Sequence, residues 1–582
     1  MKKHNALKIV LITILVFMLL TWFIPAAVFQ SKVVDQGRLE MGLFDLFNYP
    51  LTALQYFGNI VLFLLAVGAF YGILYKIPAY RSFLDKFAAK FSGRGLVFIV
   101  FLIFILGIIT SVAGAQLPLL IFFPLLASVI LLMGYDKIVV LLTLVGSTMI
   151  GIAGTTYGYS NVYLIFNILE KTKIETNIVG KVIILFVGLF LLSIYTIQYA
   201  KRKMQVSSVM GKSKVVKSSF RKEVESRIEL EKEAKEEENE EENEDEKEDD
   251  EKKSTVKSSS KKSSSKSTTK STKKPGRPAG KNSSKTTAKK SSTKKSSGRS
   301  KNPNKADAYD NDVIVVTKDL TDYSDDLVPS SVDKNHRTLA LVIIFVCMLI
   351  VLILAYIPWS EVFGVKLFTD ITKNVTDFKL FKYPLFSKIL GKFNAFGTWS
   401  FFEMIPVLFL SSALLAIIYK IDFNEYIDGA IKGIKKAIVP ACIAILIYTG
   451  LVLVTYHPFQ LTIYNFIQRL GVAKKVTTFK HINFIKMPLV AMIASIFNGD
   501  PLYVYNSTMP YLAGVFDKKT YDGIAMLFPT IYGWTMLAAP TSLVLMASLS
   551  YLKVSFCEWL KNIWLLLLEL LIAFLIILII VI

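Results

Sequence analysis

Apolar residues recur along this chain in long unbroken blocks, not as the narrow stripe of a soluble amphipathic helix. The blocks stand at 7–29, 54–75, 95–112, 117–133, 137–153, 178–200, 338–357, 401–419, 437–455, 487–497, 524–545 and 563–582. Most approach the roughly 20 residues that a helix needs to cross a bilayer. The pattern predicts an all-α polytopic membrane protein with about 10–12 apolar helical segments. Composition agrees: 53% of residues are hydrophobic and the mean hydropathy is +0.48, too apolar for one soluble core. The basic N-terminus resembles a secretory leader. Its apolar run exceeds a leader's and more spans follow, so it is read as the first span.

Polarity changes the picture at one place. Residues 201–336 hold almost no apolar run; Glu231–Glu251 is acidic and Lys252–Lys301 is rich in Ser, Lys and Thr. Such a segment buries too little apolar surface to offset its ordering entropy and is expected to be disordered. The chain therefore divides into a first transmembrane half at 1–200, a charged insert at 201–336 and a second half at 337–582. Lys2, Lys3 and Lys8 flank the first span, and Lys201, Arg202 and Lys203 precede the insert. The positive-inside rule puts the N-terminus and the insert on the cytoplasmic side of a bacterial plasma membrane. The stretch KKPGRPAGK (Lys273–Lys281) is similar to an AT-hook. A solvated linker outweighs a nucleic-acid partner there, because a single copy sits in low-complexity surroundings.

The membrane part repeats. At a shift of 386 residues, Pro124–Ala127 falls on Pro510–Ala513, Tyr135–Asp136 on Tyr521–Asp522, and Ala153–Thr156 on Ala539–Ser542. An internal repeat in a membrane domain is the mark of a secondary transporter. Counting spans from a cytoplasmic N-terminus starts the second unit outside, which makes it inverted relative to the first. Within the repeat, Gly154-Thr155-Thr156 and Pro540-Thr541-Ser542 interrupt long apolar segments. Proline removes a backbone donor, and broken helices persist in lipid only where protein or a wet cavity lines them. Two re-entrant hairpins carry further breaks. One runs through Ser111 and Gln116 to Pro118. The other holds Asn498, Gly499, Asp500 and Pro501, followed by Asn506, Ser507 and Thr508. The four breaks are expected to form one site from Ser111, Gln116, Thr155, Thr156, Asn498, Asp500, Asn506, Ser507, Thr508, Tyr532, Thr541 and Ser542. Half-helix N-termini would face an anion, and carbonyls and hydroxyls would hold a cation. Asp500 is the carboxylate placed to bind Na⁺ or carry a proton.

Other chemistry is sparse. The four histidines and three cysteines have no metal-ligand spacing, no nucleophile–base set stands out, and there is no phosphate-binding loop of the Walker type. An enzyme is not expected, and no cofactor beyond a coupling Na⁺ or H⁺.

PTSLVLMA (540–547), followed by CEWLK (557–561), resembles the C-terminal part of the YfcC-like carriers. These are relatives of the anaerobic four-carbon-dicarboxylate carriers in the ion transporter superfamily. TMP (508–510), LTWFIPAAVF (20–29) and the stretch from Pro118 to Asp136 are similar too. The resemblance implies an inverted-repeat carrier of small carboxylate-bearing solutes such as dicarboxylates or amino acids, with homodimers common among relatives. Departures are specific. The family's hairpin glutamates are replaced around Ala115–Gln116, a Ser/Gly-rich run becomes Asp500–Tyr505, and a Gly-Asp-Gly segment becomes Ile531-Tyr532-Gly533. The expected function is an ion-coupled symporter or exchanger of a small polar organic solute. The rival is a membrane-anchored scaffold whose insert binds nucleic acid or protein. Deleting 205–332 separates them: a carrier keeps transport and a scaffold loses its role.

Overall fold

The computed structural model describes residues 5–158, 177–209, 338–379, 394–473 and 478–582, with a few isolated positions between. These belong to one compact unit, Met1–Gly211 with Ile314–Ile582. The second unit, Lys212–Val313, lies outside the described residues, and so do the expected disorder of the insert and the AT-hook-like stretch.

Among the described residues, eight helices are long and apolar enough to cross a membrane, and four shorter apolar helices of 10–17 residues accompany them. The first half holds α1 (Asn5–Phe23), α2 (Leu43–Leu74), α3 (Pro78–Ser92), α4 (Gly95–Ala113), α5 (Phe123–Leu132), α6 (Lys137–Ala153) and α7 (Ile178–Val209). The second holds α8 (Leu339–Tyr356), α9 (Leu367–Asp377), α10 (Phe401–Ile418), α11 (Phe423–Tyr456), α12 (Gln460–Arg469) and α13 (Lys486–Asn498). It continues with α14 (Pro501–Val515), α15 (Tyr521–Met536), α16 (Leu543–Leu552) and α17 (Phe556–Val581). Large apolar side chains such as Leu410, Ile417 and Ile580 point outward from α10 and α17, where lipid tails would solvate them.

One local departure from an all-α chain appears where the first apolar block was expected to run on to residue 29. Pro25 disfavours helix at the preceding residue, α1 ends at Phe23, and β1 (Ala26–Gln30) pairs antiparallel with β2 (Lys32–Gly37). Ser31 turns the hairpin at φ 60°. Two other blocks lengthen. The helices at 54–75 and 437–455 begin upstream at Leu43 and Phe423 and absorb Pro50 and Pro440.

The two halves meet through glycine. Gly68-Ala-Phe-Tyr-Gly72 on α2 and Gly429-Ala-Ile-Lys-Gly433 on α11 share the spacing that lets membrane helices approach backbone to backbone. A Cβ on Gly68 would lie 2.7 Å from Gly433 O, and one on Gly72 would lie 2.6 Å from the Gly433 Cα. Gly68 and Gly72 face Gly433 and Gly429 in reverse order, so the pair is antiparallel. The core of the repeat crosses likewise. Thr530 Oγ1 on α15 donates to Ala153 O at the end of α6, 3.0 Å away, and Gly533 packs against Met149 and Ala153. Equivalent helices running antiparallel are what an inverted repeat requires.

One end of the bundle holds one group of basic side chains. Antiparallel pairing brings Lys76, after α2, beside Lys432–Lys436 on α11, where the Lys436 ammonium sits 4.9 Å from the Tyr75 ring centroid. Phe556 N donates to Asn5 Oδ1, and Tyr195 OH to Asn562 O, which brings the starts of α1 and α17 and the end of α7 together. Lys203 pairs with Asp136 at 3.7 Å.

Candidate substrate and ion site

The second hairpin is built by its turn. At 1.5 Å per residue, a 13-residue helix such as α13 spans about 20 Å, short of a bilayer core of about 30 Å. Gly499 ends it at φ 65°, in the left-handed region that favours glycine. A Cβ there would also meet Thr541 O at 2.8 Å, so the tip rests directly on the break before α16. Asp500 then caps α14, with Oδ1 accepting from Leu502 N at 3.0 Å. Pro501 follows at the first helical position, where its missing N–H costs nothing.

Three more elements close on this tip. Tyr532 on α15 donates to Gly499 O at 2.9 Å. Tyr448 on α11 donates to Asp500 Oδ2 at 2.8 Å, and its ring stacks on Phe57 of α2 at 4.3 Å between centroids. The first hairpin brings Gln116, just past the left-handed Gly114 at φ 66°. Gln116, Tyr448, Asp500, Tyr532 and Ser542 together line a cavity of about 20 Å³, about enough for one water. Two helix N-termini open on it, α14 at Asp500 and α16 at Ser542, and both favour negative charge. Gln116 Oε1 and, beside the tip, Thr541 Oγ1 are buried without a hydrogen-bond partner among the described residues. Buried polar atoms are rarely left so, and the same holds at Tyr464, Tyr505 and Tyr511 elsewhere in the bundle.

The remaining expected residues fall in three other places. Ser111, Thr155 and Thr156 meet one another. Ser111 Oγ donates to Gly154 O at 2.7 Å, Thr156 N donates to Ser111 O at 3.0 Å, and Thr155 Oγ1 to the same carbonyl at 3.2 Å. They tie the first broken helix to the first hairpin, and their polar groups are spent on that joint. Asn498 bonds back to Ala494 O at 3.0 Å. Asn506 is exposed, Ser507 Oγ turns back to Val504 O at 3.3 Å, and Thr508 is buried beside it. All three sit along α14, beyond its first turn. Sequence reasoning missed Tyr448. Its only signal was a polar hydroxyl within the apolar run of a 34-residue helix. Tyr448→Phe removes a hydrogen bond to a carboxylate, worth about 1.5–3 kcal/mol. It is expected to lower uptake about tenfold or more, measured against wild type at matched protein per vesicle.

Two hairpin tips and a broken helix thus meet around one carboxylate, and comparison with known proteins supplies the family. Residues 4–258 and 312–582 match the DcuC family, described as C4-dicarboxylate anaerobic carriers. The chain belongs to this family. As a carrier family member with many apolar helices, it is a multi-pass membrane transporter. No curated protein matches the chain. Among solved structures, the Alcanivorax borkumensis YdaH transporter is similar over 99% of this chain and 97% of that one, at 12% identity and a TM-score of 0.36. A likeness so low carries no weight for fold or mechanism.

Proposed function

We propose that this DcuC-family protein is an ion-coupled secondary transporter of a small carboxylate-bearing solute, a C4 dicarboxylate or an amino acid. The resemblance of PTSLVLMA (540–547) and CEWLK (557–561) supports a place on the YfcC-like branch. The observation that carries the reading is the single cavity where Gln116 and Asp500, from the tips of both hairpins, meet Tyr532 and Ser542. Asp500 holds the coupling cation, Na⁺ or H⁺. The N-terminus of α16, which has no side-chain cap, faces the solute carboxylate, while the Gln116 amide and the hydroxyls of Tyr532 and Ser542 orient it. A cavity of about 20 Å³ is too small for such a solute, so loading requires the tips to part. The basic end of the bundle lies in the cytoplasm.

Uptake into proteoliposomes tests this. Labelled dicarboxylates and amino acids are offered with Na⁺ and proton gradients imposed separately. Accumulation of one solute class under one gradient is expected. Accumulation of none under either gradient rejects the reading.

A further inference from the structure

A larger cavity, about 80 Å³, opens at the basic end between the α2–α11 pair, α5 and α16. Lys436, Tyr75 and Tyr551 stand in its lining, and its deeper wall includes Leu120 and Phe123. The same two side chains wall a second cavity of about 20 Å³, whose far side is Gln116 and Val544. Gln116 and Val544 in turn wall the Asp500 cavity. Three voids thus abut in series from Lys436 to Asp500, separated by two thin partitions of side chains.

We propose that this series is the path by which the solute passes between the basic end of the protein and Asp500, with the Lys436 ammonium as the docking point for its carboxylate at the mouth. The proposal rests on the carboxylate reading of the site. Lys436 is exposed and lines the opening beside Tyr75, while its neighbours Gly433 and Ala437 are packed against α2. The walls between mouth and site are mostly apolar, with Leu64, Val67, Phe123 and Pro124 prominent. A polar solute finds no resting place there, which suits passage rather than storage. The Leu120–Phe123 partition is the outer barrier, and Gln116 with Val544 is the inner one. Gln116 is then both a barrier and a solute contact, so opening of the inner partition is tied to loading.

Two measurements test it, with succinate as the probe. In transport, Lys436→Gln should raise the KM about fivefold, the size expected of one solvent-screened charge, with the maximal rate within about twofold. Lys436→Arg should restore the KM, and added salt should erase the difference. In labelling, Ala547→Cys is introduced into a chain carrying C347S, C442S and C557S. A water-soluble thiol reagent applied to the basic face should modify the introduced thiol, succinate should slow the reaction, and Lys436→Gln should weaken that protection. An unchanged KM together with no protection by succinate overturns the proposal. Protection by succinate without transport of any solute rejects the transport reading and leaves the docking point standing. Loss of both overturns both.

Discussion

Asp500→Asn is expected to abolish gradient-driven uptake while leaving the protein folded. Asparagine has the same shape. Its carbonyl oxygen still accepts from Leu502 N, now 3.0 Å from the carboxylate, so the cap on α14 survives. What disappears is the negative charge at the meeting point of both hairpins. On the proposed reading the coupling cation loses its counter-charge, a cost of about 3–5 kcal/mol in a site of low dielectric, which corresponds to at least about a hundredfold in uptake. Initial rates in proteoliposomes read the loss, and an unchanged size-exclusion profile shows that the fold is intact. Uptake at the wild-type rate would remove Asp500 from the coupling step.

The second large effect concerns the joint between the halves. Gly433→Ala places a methyl group against the Gly68 carbonyl across the α2–α11 crossing. Two backbones in contact cannot both keep their helical paths and admit it. A cost of about 3 kcal/mol is expected, the upper part of the usual range for overpacking. Gly58→Ala is the matched control. It makes the same change on α2, where the nearest atom to a new Cβ is a Leu54 methyl at 3.9 Å. There alanine's helix propensity should stabilise by about 0.5–1 kcal/mol. Thermal unfolding in detergent should move the two variants in opposite directions. A shared fall would mean that the crossing contributes nothing special.

The same crossing shows what can and cannot be read from one chain. Both Gly-x-x-x-Gly pairs were visible in the sequence, yet nothing marked them as partners, because they lie more than 350 residues apart. The shift that aligns Ala153–Thr156 with Ala539–Ser542 predicted equivalent breaks, and both breaks formed after α6 and α15. Their surroundings then diverged. Ser542 opens on the Asp500 cavity, while Thr155 and Thr156 bond to Ser111 of the first hairpin.

Local conformation and lipid burial are properties of contiguous residues. The sequence alone therefore determined the apolar helices, the repeat and the breaks at Gly154–Thr156 and Pro540–Ser542. The partner of Asp500, the antiparallel glycine joint and the cavity path from Lys436 were decided only by tertiary structure. Each depends on which helix faces which, and that choice is made by close packing between positions with no local pattern in common.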